Sequence, residues 1–228
     1  PLDIPSDSRK KLATPDDDVD LAYMSIADQS RLIRSGQISS LEVTQMYLRR
    51  LKKFNPTLKF YVNLTEELAL EQAAAVDRTR NRLGEWHPLR GIPWGAKDLI
   101  AYPKYPTTWG APQFKDRILN TKATVAAKLD QAGAVLVAKL ALGALAMGDK
   151  WYGGPTKNPW NPTQGSSGSS AGSASATAAG CVGFSLGSET LGSIMSPSRR
   201  CGVTGLRPTF GRVSRQGCMS LSWSMDKL

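Results

Sequence analysis

Apolar and polar positions alternate along the chain at spacings that predict helices and buried strands in turn. Ser39 to Glu42 matches the capping box, in which the serine and glutamate side chains satisfy the first free N–H groups of a helix. The helix it opens carries Leu41, Tyr47, Leu48 and Leu51, and should stop near Asn55-Pro56 because proline cannot continue it. Thr65 to Arg82 reads as a second helix, rich in Ala and Glu. Leu89 to Ile100 is a short apolar run broken by Gly and Pro, which suggests a strand leading into a loop. Thr121 to Ala132 is helical, Gly133 caps it, and Ala134 to Ala138 is a buried strand. This alternation predicts an α/β fold, a mixed twisted sheet flanked by helices.

The ends of this pattern differ from its middle. Residues 1–22 are polar, Pro-rich and charged, with four aspartates between Asp16 and Asp20, and read as a loose arm. Residues 23–228 read as one domain. Within it, residues 153–175 are dominated by Gly, Ser, Asn and Pro, as a linker would be, or a loop whose backbone must approach a ligand closely. The segment from Ala176 to Gly183 reads as a small-residue helix rather than a polar spacer, so the Gly/Ser loop is embedded in the domain.

Composition narrows the chemistry. The 228 residues are 41% hydrophobic and 21% charged, an ordinary globular mixture. No run of about 18 apolar residues predicts a membrane span, and no basic-apolar-small signal segment opens the chain. The net charge of +10 invites a nucleic-acid reading. Its basic residues are scattered, however, with no Lys/Arg block beside aromatics, and a more acidic segment elsewhere in the protein would balance them. Three cysteines, Cys181, Cys201 and Cys218, form no C-x-x-C pair, which favours buried thiols in a reducing, cytoplasmic compartment over a disulfide framework. The single histidine, His87, is too little for a His-based metal cluster, and its turn-like setting predicts a solvated loop residue.

The segment from Gly165 to Ser173 admits several readings. Around Ser170 it spells G-x-S-x-G, but that nucleophile elbow needs a histidine downstream, and the chain has none. Gly187 to Ser193 has P-loop-like glycine spacing without the phosphate-reaching lysine. Ser224 to Lys227 spells S-x-x-K with no supporting K-T-G.

Three longer stretches carry a clearer signal: Gly165 to Ala174, Gly187 to Ile194, and Cys201 to Ser214. Together they closely resemble the amidase signature family, which includes bacterial amidases, fatty acid amide hydrolase and the A subunit of glutamyl-tRNA amidotransferase. Gly91 to Asp98 looks like that family's lysine strand, and the resemblance runs from about residue 25 to the last residue. It implies an α/β/α sandwich with a Ser-Ser-Lys triad: Ser193 as nucleophile, Ser169 as the bridging serine on a cis peptide, and Lys97 as the base. Ser170 and Ser173 are read as loop hydrogen-bonders. A buried lysine can serve as base once desolvation lowers its pKa, and Lys97 lies among Ile92, Trp94, Leu99 and Ile100. The backbone N–H groups of Thr190, Leu191, Gly192 and Ser193 are the candidate oxyanion donors.

The resemblance has two local departures. Leu191 stands where Gly is usual, with Glu189 in place of the more frequent Asp, which costs φ freedom beside the nucleophile. Met195 stands where many members carry Arg, and a soft apolar wall there points to a neutral amide with an apolar or aromatic acyl group, with esters or carbamates as further substrates. The expected function is therefore hydrolysis of a carboxylic amide through an acyl-enzyme. The alternatives are one component of an amidotransferase that works with partner chains, and a non-catalytic binding module whose site has decayed, for which Leu191 argues. No metal or cofactor is expected. The expected partners are a small-molecule amide and the C-terminal remainder of the same protein, with a homodimer as a further option and neither nucleic acid nor membrane span. The chain opens at Pro1 without an initiator Met, as a trimmed product would, and stops inside the family's pattern, so the fold is expected to be incomplete at its C-terminus.

Overall fold

The computed structural model describes residues 12–81 and 86–228. Its centre is a four-stranded mixed sheet in the order β1–β3–β2–β8. β1 (Tyr61–Leu64) runs antiparallel to β3 (Val135–Leu140), while β2 (Pro93–Lys97) runs parallel to both β3 and β8 (Phe184–Leu186). Two short hairpins, β4 (Lys150–Trp151) with β5 (Gly154–Pro155) and β6 (Lys157–Asn158) with β7 (Asn161–Gly165), organise the chain ahead of the Gly/Ser loop. Among the described residues, seven α-helices accompany the strands: α1 (Asp18–Tyr23), α2 (Ile26–Ser35), α3 (Ser40–Leu58), α4 (Glu66–Arg78), α5 (Thr124–Gln131), α6 (Ala171–Ala178) and α7 (Met195–Cys201). No described helix is long and apolar enough to cross a membrane.

The sheet is covered on both faces, as parallel strands require. Val135 and Val137 join α3, α4 and α6 in one apolar cluster, whereas Leu136 joins Trp94, Ala96 and the Ala123 and Ala126 side chains at α5 in another. A bulge lies between the pairs Trp94–Leu136 and Gly95–Ala138. It reverses the parity of β3, so that Val137 and Ala138, adjacent in sequence, both belong to the first cluster. The bulge places Lys139 on the face opposite Lys97, and each lysine therefore acquires its own surroundings.

Several expectations from the sequence need correction. The stretch 1–22 is not an arm throughout. Residues 1–11 lie outside the described residues, but Asp17 caps α1 by accepting from the Val19 and Asp20 N–H groups, and Leu21 and Ala22 are buried. The acidic run is thus a helix N-terminus, favourable for negative charge. Helix α3 does begin with the Ser39–Glu42 capping box, but it runs through Pro56 to Leu58. Proline in the last turn removes a single ladder bond, and Asn55 Oδ1 accepts from the Phe60 and Tyr61 N–H groups just beyond. Helix α6 begins at Ala171, five residues earlier than expected, and ends before Gly180.

Candidate active site

β2 delivers Lys97 at its C-terminal end, and the turn before α6 delivers two serines to it. Lys97 is wholly buried. Its Nζ lies 2.8 Å from Ser169 Oγ, 3.0 Å from Ser170 Oγ, 2.9 Å from Ser188 Oγ and 3.2 Å from Ser188 O. Burial pulls its pKa from 10.5 down to about 7, against the opposing charges of Asp226 and Glu189. A substantial fraction of Lys97 is then neutral near pH 7.

The two neighbouring serines differ in what their protons can do. Ser170 donates its hydroxyl proton to Ser188 O at 3.1 Å and accepts from Ser188 N at 3.1 Å, so towards Lys97 it serves as an acceptor. Ser169 Oγ has no hydrogen-bond partner among the described residues besides Lys97, which leaves its proton free for the lysine's lone pair. The Gly168–Ser169 peptide is cis, as the resemblance implies. Ser173, read as a loop residue, lies in α6 and donates to Leu186 O at 2.9 Å.

Ser193 is half-buried and lines the same cavity as Ser169 and Ser188. Its carbonyl accepts from Ser170 N at 3.1 Å, which ties the two serine loops together next to the hydroxyls. The carboxylate of Glu189 organises the loop from below, accepting from the N–H groups of Ile194 at 2.8 Å and Met195 at 3.0 Å. Burial works against the Glu189 charge, but the N–H groups of Met195, Ile194 and Gly192, together with Arg207, hold its carboxyl below the usual range. Leu191 costs the loop nothing in φ, since the left-handed position falls on Gly192 at φ +86° and the Leu191 side chain is 83% exposed. The N–H groups of Thr190, Leu191 and Ser193 make no hydrogen bond with the described residues. The Gly192 N–H is drawn towards Glu189 instead.

Met195, the candidate for an apolar pocket wall, lies at the surface. It begins α7, is exposed, and is absent from the cavity lining. The apolar wall comes from Leu99, Ala146, Met219 and Leu221, accompanied by Cys218 and by Asp226. Ser188 lies within the Gly187–Ile194 motif but was not singled out, and Asp226 reaches the site only through tertiary folding. His87 is exposed in a turn, remote from this cavity, and its Nδ1 accepts from Leu89 N. All three cysteines are free thiols. Burial pushes each up to about 12, and Cys218 is the one beside the cavity.

The Amidase family profile matches residues 42–228, and the chain belongs to the amidase signature family. It is 42% identical over 205 residues to the A subunit of the glutamyl-tRNA(Gln) amidotransferase of Coxiella burnetii (strain RSA 493 / Nine Mile phase I), a match covering 89% of this chain and 42% of that protein. It is 41% identical over 207 residues to the putative amidase AmiD of Mycobacterium bovis (strain ATCC BAA-935 / AF2122/97), covering 90% of this chain and 44% of the relative. Among solved structures, native peptide amidase from Stenotrophomonas maltophilia superposes with a TM-score of 0.84 at 35% identity, over 90% of this chain and 44% of that one. The chain thus spans less than half the length of these relatives.

Proposed function

We propose that this chain carries the catalytic residues of a serine amidohydrolase that cleaves neutral carboxylic amides. The observation that carries the reading is Lys97: fully buried, lowered to about 7, and 2.8 Å from a serine hydroxyl whose proton has no other destination. Ser193 Oγ attacks the substrate carbonyl while its proton passes to Ser169, whose own proton passes to Lys97. The negative charge that develops on the carbonyl oxygen is met by loop N–H groups, for which those of Thr190, Leu191 and Ser193 are free. Collapse of the tetrahedral intermediate breaks the C–N bond as the proton returns through Ser169 to the leaving amine. Water, deprotonated along the same route, then cleaves the acyl ester and restores Ser193. Leu99, Ala146, Met219 and Leu221 make the surroundings of Ser193 apolar, which supports a neutral rather than a charged acyl group, and esters or carbamates would enter the same chemistry.

The test is covalent labelling with a fluorophosphonate followed by peptide mass spectrometry. The reading requires the adduct on Ser193, and a binding module with a decayed site would stay unlabelled. A second reading, one component of an amidotransferase that works with partner chains, is favoured by the 42% identity to proteins of that name. Glutamine hydrolysis stimulated by a partner chain, with aryl amides inert, would select it.

A further inference from the structure

The last segment of the chain is fastened to the nucleophile loop through one carboxylate. Asp226 is buried, and its two oxygens face in different directions. Oδ1 accepts from the Thr190 hydroxyl at 2.5 Å. Oδ2 accepts from Leu221 N at 2.7 Å, Ser222 N at 3.0 Å and Ser220 Oγ at 3.3 Å. Next to it the backbones of Glu189 and Lys227 exchange two hydrogen bonds, both 2.8 Å long. Thr190 belongs to the loop that ends in the nucleophile, and Leu221 is part of the apolar cavity wall. One buried anion therefore holds the oxyanion side and the acyl side of the cleft in register.

We propose that Asp226 is a positioning residue for acyl transfer, locking the Thr190–Ser193 loop to the 219–222 wall. This inference rests on the amidohydrolase reading above. Its charge gives it a signature that packing alone would lack. Asp226 and Glu189 are the acidic groups acting on Lys97, and both favour the lysine's protonated form. Arg215, which donates to Ser222 O and Trp223 O, Lys227, which donates through Nζ to Thr190 O, and Arg207, paired with Glu189, are the cations of these neighbouring elements. Removing the Asp226 charge leaves Glu189 as the acidic neighbour and weakens the hold on the Lys97 proton.

The experiment measures the rate of fluorophosphonate labelling of Ser193 against pH for wild type, Asp226→Asn and Thr190→Val. Asp226→Asn should label more slowly, on the order of tenfold, because a loosened loop holds the reacting hydroxyl less well in its attacking position. The midpoint of its acid limb should also move to lower pH. Thr190→Val severs the same bond but keeps the charge, so it should show a similar slowing with the midpoint in place. A slower Asp226→Asn with an unmoved midpoint would make the residue structural only and overturn the proposal, as would Thr190→Val labelling at the wild-type rate. If Asp226→Asn loses its cooperative melt, the Thr190→Val rate decides alone. An unlabelled wild type would instead sink the amidohydrolase reading, before any variant is compared.

Discussion

Asp98 and Lys139 meet as carboxylate and ammonium at 2.8 Å, with neither side chain exposed. Lys139 also donates to Pro106 O and Thr107 Oγ1, and Asp98 Oδ2 accepts the N–H and O–H of Thr108. The pair sits on the face of the sheet opposite Lys97 and pins the strap at 106–108 to it. Removing one member leaves an uncompensated buried charge. Lys139→Met should therefore cost about 3–5 kcal/mol in urea unfolding. Pairing it with Asp98→Leu should recover part of that loss, and a single variant that melts like wild type would contradict this account.

The roles of the serines separate by substitution. Ser193→Ala should abolish both turnover and labelling. Lys97→Ala and Ser169→Ala should each reduce kcat by about 10²-fold or more, the scale of lost acid-base assistance. Ser170→Ala should hurt less, because its proton is committed to the Ser188 carbonyl. If Ser170→Ala is the more damaging change in amide hydrolysis, the proton route through Ser169 is wrong.

Lys97 links pH to both activity and stability. It must be neutral to accept a proton, so kcat should rise with pH through a midpoint near the lysine's depressed value of about 7. Replacing His87 by Gln should leave that limb unchanged. In the unfolded chain the lysine keeps its proton up to about 10.5, so between the two values the unfolded state binds more protons, and stability from this group rises with pH. Below about 7 the burial penalty is present in full. Chemical unfolding of Lys97→Met between pH 6 and 10 should lose that upward slope and be relatively most stable at the acid end.

The capping box at α3 offers a smaller, local test. Ser39 Oγ accepts from Glu42 N at 3.0 Å, and Glu42 Oε2 accepts from Ser39 N at 2.8 Å. Ser39→Ala should lower stability by about 1 kcal/mol in a thermal melt without changing activity.

What the sequence allowed one to read divides by distance along the chain. The capping box, the α5–β3 unit closed by Gly133, and the lysine strand are signalled by neighbouring residues, and each was legible. The start of α6 was hidden because its first turns are Ser, Gly and Ala, and serine and glycine weaken any helical signal. The β3 bulge could not be read at all, since nothing in Val135–Leu140 marks where the parity reverses. The same holds for Lys97 with Ser188, Asp98 with Lys139 and Thr190 with Asp226, pairs brought together across 91, 41 and 36 positions. Lys97, Ser169 and Ser193 were named from family-like motifs, whereas their supporting residues appeared only once the chain was folded. Met195 follows Ser193 closely in sequence, yet it opens α7 as an exposed residue outside the lining of the cavity that Ser193 shares with Ser169, so adjacency in sequence does not fix a place in the cavity wall.

Two glycines flank this chemistry under opposite constraints. At Gly172, the second residue of α6, an added Cβ would run into the Phe60 carbonyl oxygen and lie 2.6 Å from Ala141 N. At Gly192, beside the proposed nucleophile Ser193, the space is open, but φ is +86°. The first position is closed by volume and the second by handedness alone. Chemical semisynthesis can tell these apart where the genetic code cannot. A D-alanine at 192 carries its methyl group in the hand that positive φ favours, so it would stiffen the nucleophile loop in its present shape, whereas an L-alanine at 172 would force the serine-bearing helix off the sheet.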